Sequence, residues 1–167
     1  GVDKLFLDQA PTWKEERKNI DKIFIKQSKE VKKFLLREIK ISKDEEEGCQ
    51  IILERYKNAS DKRIIIFDIS LPRNLYQDTL AMLPEPIYVI MPTGSERSWK
   101  IEAIIKSVGT KESRKPFPES WRGLTNKDEK LKEVTGVLDV IFCHKSGFTM
   151  QTVSKESAVA LAEKALI

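Results

Sequence analysis

A chain of 167 residues, 40% apolar and 34% charged, has the material for one packed domain, or one domain with a helical appendage, under a charged surface. No stretch approaches the ~20 consecutive apolar residues of a membrane span, and no basic start runs into an apolar segment, so neither a span nor a signal peptide is expected. One histidine and two distant cysteines, Cys49 and Cys143, cannot supply a zinc site of ordinary spacing. Both cysteines read as reduced, which fits an intracellular, cytoplasmic protein. The chain begins at Gly1 rather than Met, which reads as a segment of something longer.

Residues 1–12 read as a connector. Thr12 and Glu15 fit a capping box that would start a long helix running to about Ile39. Its inward face would be Ile20, Ile23, Phe24, Val31, Phe34 and Leu35, and its opposite face is lined by lysines. A second capping box, Ser42-Lys-Asp-Glu45, predicts a second helix with Cys49, Ile52, Leu53 and Tyr56 inward, so residues 13–60 are expected to form a helical hairpin. Gly48 within it suggests a close backbone contact.

At Arg63 the period changes. Residues 63–69 form a β-branched run expected as a strand covered on both faces. A short helix is predicted over 74–82, then strands over 87–91 and 98–105 as an antiparallel hairpin, with Trp99, Ile101, Ala103 and Ile105 alternating with polar residues. A weak helix over 129–134, a strand over 138–143 and an extended piece over 149–153 follow, and Ser154 would cap a last helix with Ala158, Leu161, Ala162 and Ala165 inward. The fold class is α+β: the helical hairpin packed on a mixed or antiparallel sheet of four to five strands, with a C-terminal helix. Residues 61–167 form the substrate-binding domain in this division, one structural unit with 13–60.

The conformational specialists gather in Arg114-Lys-Pro-Phe-Pro-Glu-Ser-Trp-Arg-Gly-Leu124 and in Val140-Ile-Phe-Cys-His-Lys-Ser-Gly-Phe148. Pro116 and Pro118 impose an irregular, extended arm. Residues 97–122 carry seven positive side chains against three negative ones, a balance suited to an anionic partner such as nucleic acid. Two readings of the stretch stand. In one, His144, Ser146 and Gly147 form the lip of a ligand cleft, with Trp121 and Arg122 as the opposite wall. In the other, Trp121 plugs the core and Gly147 makes a turn. His144 and Ser146 lack a third orienting group and do not read as a catalytic pair. No phosphate-binding glycine loop, nucleophile elbow or two-metal carboxylate cluster is present.

The runs Pro116-Phe-Pro-Glu-Ser-Trp-Arg-Gly-Leu124, Val134-Thr-Gly136 and Ile141-Phe-Cys-His-Lys-Ser-Gly-Phe148, with Ala10-Pro-Thr-Trp13 upstream, resemble the C-terminal half of a known family. It is the exonuclease family named for melanocyte proliferating gene one, a branch of the Asp-His-His (DHH) phosphoesterase superfamily. The resemblance covers nearly the whole chain, with residues 40–98 matching only in element pattern. It implies the substrate-binding half of a metal-dependent phosphoesterase acting on nucleic acid. The manganese or magnesium ligands would lie in a catalytic half supplied in cis or in trans, leaving this chain without a cofactor and inactive alone. Carried onto matching positions, the substrate contacts implied are Arg114, Trp121, Arg122, His144, Ser146, Gly147 and Phe148. The family's glycine pair after Ser-Gly-Phe is replaced here by Thr149-Met150, which puts phosphate cradling by that loop in question. The alternative function is a non-enzymatic interaction or nucleic-acid-binding module; self-association is compatible with either.

Overall fold

The structure is a computed structural model that describes residues 20–94 and 98–167. It contains α1 (Ile20–Asn58), β1 (Ile64–Ile66), α2 (Arg73–Ala81), β2 (Tyr88–Pro92), β3 (Trp99–Ala103), a 3₁₀ turn (Glu119–Trp121), α3 (Glu129–Thr135), β4 (Val140–Cys143), β5 (Thr149–Thr152) and α4 (Lys155–Leu166). The class is the expected α+β. The connector over 1–12 and the Thr12 capping box lie outside the described residues.

The expected helical hairpin is corrected: α1 is one continuous helix of 39 residues. Ser42 could cap a new helix only if its own backbone left helical geometry, and nothing between Ile39 and Ser42 is a glycine or proline that would break the ladder. Two compact units divide between Glu47 and Gly48, inside this helix. In the first, the face expected to be inward is only partly covered among the described residues: Ile23 and Val31 are half-buried, while Phe24 is 61% and Leu35 50% exposed. No helix among the described residues is long and apolar enough to cross a membrane.

The second unit, Gly48–Ile167, is built on a five-stranded mixed sheet of order β1-β2-β3-β5-β4. β1 runs parallel to β2, and every other neighbouring pair is antiparallel. One face is sealed by α4, whose Ala158, Leu161 and Ala162 meet Tyr88, Ile90, Ile101 and Met150. On the other face, Ile65, Val89 and Met91 pack with Tyr76 and Leu80 of α2 and Ile52 of α1. Interior strand β2 is therefore apolar on both sides, which explains its unbroken apolar sequence. The close approach expected at Gly48 is present: a Cβ there would stand 2.4 Å from Leu75 Cδ2 of α2.

The proline-bracketed arm crosses the first of these cores. Extended backbone on either side of Phe117 drives its ring inward, where it stacks on Tyr88 at 4.9 Å and on Trp121 at 6.3 Å between centroids. Downstream, Gly123–Asn126 lies along β4, exchanging backbone hydrogen bonds with Ile141 and Cys143 and so covering that sheet edge.

α4 begins as expected at Ser154, whose Oγ accepts the Ser157 N–H at 3.3 Å while its hydroxyl and amide donate to Asp139 Oδ2 at 2.6 and 2.9 Å. Burial opposes the charged form of Asp139, but the Ser154 donors outweigh it and hold this carboxyl below its usual 3.8. Its stabilisation is complete above that ordinary value and is lost as pH falls through the lower folded one. Asp139→Asn should therefore cost about 1 kcal/mol near neutral pH, with a deficit that shrinks on acidification. Urea titrations of both proteins across the acid range check this, and a deficit independent of pH would contradict it.

A basic cleft on the open sheet face

α2 covers only the β1–β2 side of its face. Across β3, β5 and β4 the same face stays uncovered, and strand register decides what it carries. Val89 lies opposite Glu102 and Met91 opposite Lys100, while Glu102 and Lys100 neighbour Thr149 and Gln151. A register shift between Val140 and Phe142 inserts an extra residue, and so places Phe142 opposite Gln151 on this same face. The result is a cleft of about 940 Å³. Its floor is the outward face of three strands. Its walls are Arg73 at the start of α2, the loop from Lys106 to Arg114, and Ser146 and Phe148 of the turn after β4.

Five cations line the cleft: Arg73, Lys100, Lys106, Lys111 and Arg114. They face two carboxylates, Glu102 and Glu112. Glu102 is held deep in the floor, its side chain only 8% exposed. It accepts from Arg73 Nε at 3.1 Å and Gln77 Nε2 at 3.2 Å, and lies 3.5 Å from Lys100 Nζ. Gln77 also donates to Ala103 O and accepts from the Ile105 amide, which fixes α2 to the end of β3. Lys100 donates to Tyr76 Oη at 3.2 Å. Burial first, and then the Glu102 charge, push the Tyr76 phenol up, so it stays a protonated partner in this network.

The loop is a short excursion closed by an Ile105–Ser113 bridge. It carries Lys106, paired with Glu112, and Lys111 on exposed backbone. Arg114 lines the cleft, but its two terminal nitrogens are engaged inward, donating to Pro86 O at 2.9 Å and Ala81 O at 2.7 Å. Lys115 similarly donates to Leu166 O at the end of α4.

Of the seven residues implied as substrate contacts, Arg114, Ser146 and Phe148 line this cleft. Trp121 does not. It is 3% exposed, a core residue, because the two-proline arm turns it toward Phe117 rather than outward. The expected wall of Trp121 and Arg122 facing the lip is therefore corrected. Arg122 lies against the back of the turn instead, where its Nε donates to Phe117 O at 2.7 Å and packs on Gly147. His144 shapes the turn from within: Nδ1 accepts the Ser146 N–H at 3.2 Å and sits 2.8 Å from Ser146 Oγ, and its ring packs at a steep angle on Phe148, with 4.7 Å between centroids. A backbone N–H can only donate, so in the neutral ring the proton sits on Nε2. Cys143 beneath it is unsuited to nucleophilic work, its thiol pushed up to about 12 by burial.

Reasoning from sequence missed Arg73 and Phe142 altogether, and reached Lys100 and Glu102 only as members of the basic 97–122 segment, not as site residues. Lys100 and Glu102 did leave a signal, as the outward half of the alternation along β3. Thr149, standing where the resembled family has glycine, lines the cleft, and Met150 is fully buried in the core.

No group of three or more His, Cys, Asp or Glu side chains able to hold a metal ion is formed among the described residues. The cleft carboxylates are already paired with Arg73, Lys100 and Lys106, and this donor set does not fit a divalent cation.

Three relatives are aligned over part of their length. The chain is 33% identical to MYG1 protein C27H6.8 of Caenorhabditis elegans, over 60% of this chain and 27% of the relative. It is 36% identical to MYG1 exonuclease of Homo sapiens, over 50% of this chain and 22% of the relative. It is 39% identical to MYG1 protein C694.04c of Schizosaccharomyces pombe, over 47% of this chain and 23% of the relative. The chain thus spans well under half the length of these relatives. No solved structure matches it. The family model MYG1_exonuc, described as an uncharacterised protein family (UPF0160), matches residues 2–166, and the chain belongs to that family.

Proposed function

We propose that the Gly48–Ile167 unit binds the substrate of a MYG1-type, DHH-like exonuclease, and that this substrate is nucleic acid. Human and bovine relatives carry the name exonuclease. The observation that carries the reading is the composition of the open cleft: five cations against two carboxylates, beside the rings of Phe142 and Phe148. Phosphates favour the cations, and an unstacked base favours the aromatic faces. The volume lies at the upper end of the ~300–1,000 Å³ typical of small-ligand sites, enough for a nucleotide with room for its strand to continue. The metal chemistry of hydrolysis would come from a DHH half in cis or in trans, because the donors in this cleft do not fit the ions. Two free cysteines support a reducing, cytoplasmic setting.

The test is titration of a labelled single-stranded oligonucleotide at several salt concentrations. Binding should weaken steeply with salt, each phosphate contact contributing roughly −0.7 to the slope of log K against log salt. Replacing both Lys106 and Lys111 by alanine should flatten that slope. Replacing Lys115, already engaged by a backbone carbonyl, should leave it nearly unchanged. Absence of binding, or a slope indifferent to the Lys106 and Lys111 substitutions, would overturn the reading.

A further inference from the structure

Arg73 occupies an unusual position for a cation. It is the first residue of α2, a helix with no acidic side chain in its first turn. Positive charge at a helix N-terminus opposes the helix dipole, so stability of α2 does not explain it. The guanidinium is nevertheless held on two sides. Its Nε donates to Glu102 at 3.1 Å, and its central carbon lies 5.7 Å from the centroid of the Phe148 ring. Both holders are themselves fixed. Glu102 is nearly buried and accepts from Gln77 as well, while Phe148 is braced by the His144 ring. The two terminal amino groups, Nη1 and Nη2, make no hydrogen bond to any described residue, and the side chain is 54% exposed to the cleft it lines.

We propose that Arg73 is the anchor for a substrate phosphate in this cleft, offering Nη1 and Nη2 as a bidentate fork, with Glu102 and Phe148 as positioning residues. The proposal rests on the reading that the cleft binds nucleic acid and names the group that grips it. A guanidinium whose Nε edge is already occupied has lost the freedom that makes a solvated arginine costly to order, and its remaining edge matches two phosphate oxygens. Lysine at this position would keep the charge and lose the fork.

The experiment uses the 167-residue chain and the same labelled single strand, with thermal melting as a folding control. Arg73→Lys should weaken binding by about tenfold, and Arg73→Ala should also reduce the salt slope by roughly 0.7, one phosphate contact. Glu102→Gln separates positioning from bulk charge. Removing a negative charge from a basic cleft tightens binding if only net charge matters, whereas loss of the Arg73 brace weakens it several-fold. Should Glu102→Gln fail to fold, Arg73→Lys, an exposed substitution, still decides. Wild-type affinity in Arg73→Lys, or tighter binding by folded Glu102→Gln, would overturn the proposal while leaving the functional reading intact. A wild-type chain that binds no oligonucleotide would remove both.

Discussion

Replacing Trp121 by alanine should destabilise the Gly48–Ile167 unit by about 3–5 kcal/mol, the usual cost of emptying a large aromatic site in a core. The ring is 3% exposed and closes the stack Tyr88–Phe117–Trp121, which is the part of the core reached by the irregular arm. Without it Phe117 loses one of its two ring neighbours, and the arm loses the contact that ties the 3₁₀ turn to the sheet. Small domains keep only about 5–15 kcal/mol of net stability, so this one change would consume a large share of it. Trp121→Phe, which refills part of the volume, should recover most of the loss. Urea unfolding followed by circular dichroism measures both. A base-stacking role for Trp121 predicts the opposite pattern, with stability preserved and oligonucleotide affinity lost; that outcome would contradict the packing described here.

The same residue illustrates what could be read from sequence and what could not. Composition alone singled out Trp121 as unusual, but whether an aromatic ring faces ligand or core depends on what stands opposite it, here Phe117 and Tyr88, the latter 33 positions upstream. The strands were legible because their apolar patterns follow directly from burial: both-face burial for Ile64–Ile66 and β2, alternation for β3. The break expected in α1 was not, since a capping box states only that a helix can start at Ser42, while cooperative propagation decides whether the preceding one stops. In the cleft, Ser146 and Phe148 were reached through motif resemblance. Arg73 and Glu102 were not, because their pairing joins positions 29 residues apart. A charged residue on the wet half of an alternating strand ordinarily reads as solvated surface. Phe142 was hidden for a different reason: the register shift in β4 changes which face it takes, and a bulge leaves little trace in composition.

Gly147→Ala should cost about 2–5 kcal/mol, for two separable reasons. The residue has φ +70°, where an L side chain meets its own carbonyl, a strain of roughly 1–2 kcal/mol. The new Cβ would also stand 2.6 Å from Arg122 Nε and 3.2 Å from the Phe117 backbone nitrogen, and such overpacking costs about 1–3 kcal/mol. Neither neighbour can yield cheaply. Arg122 Nε is bonded to Phe117 O, and the Phe117 amide is bonded to Gly147 O, so each displacement breaks a hydrogen bond. A double-mutant cycle separates the two terms. In an Arg122→Ala background the side-chain contact is gone, and Gly147→Ala should then cost mainly the backbone strain, giving a coupling of about 1 kcal/mol or more. Gly147→Asn, which tolerates this conformation better, should fall between glycine and alanine in backbone cost while retaining the steric one. Because Ser146 and Phe148 flank this glycine and line the cleft, the folded fraction of Gly147→Ala should also bind the oligonucleotide more weakly. Unchanged stability in both backgrounds would mean that the turn relaxes without strain, and the close packing of Arg122 on Gly147 would then have no energetic weight.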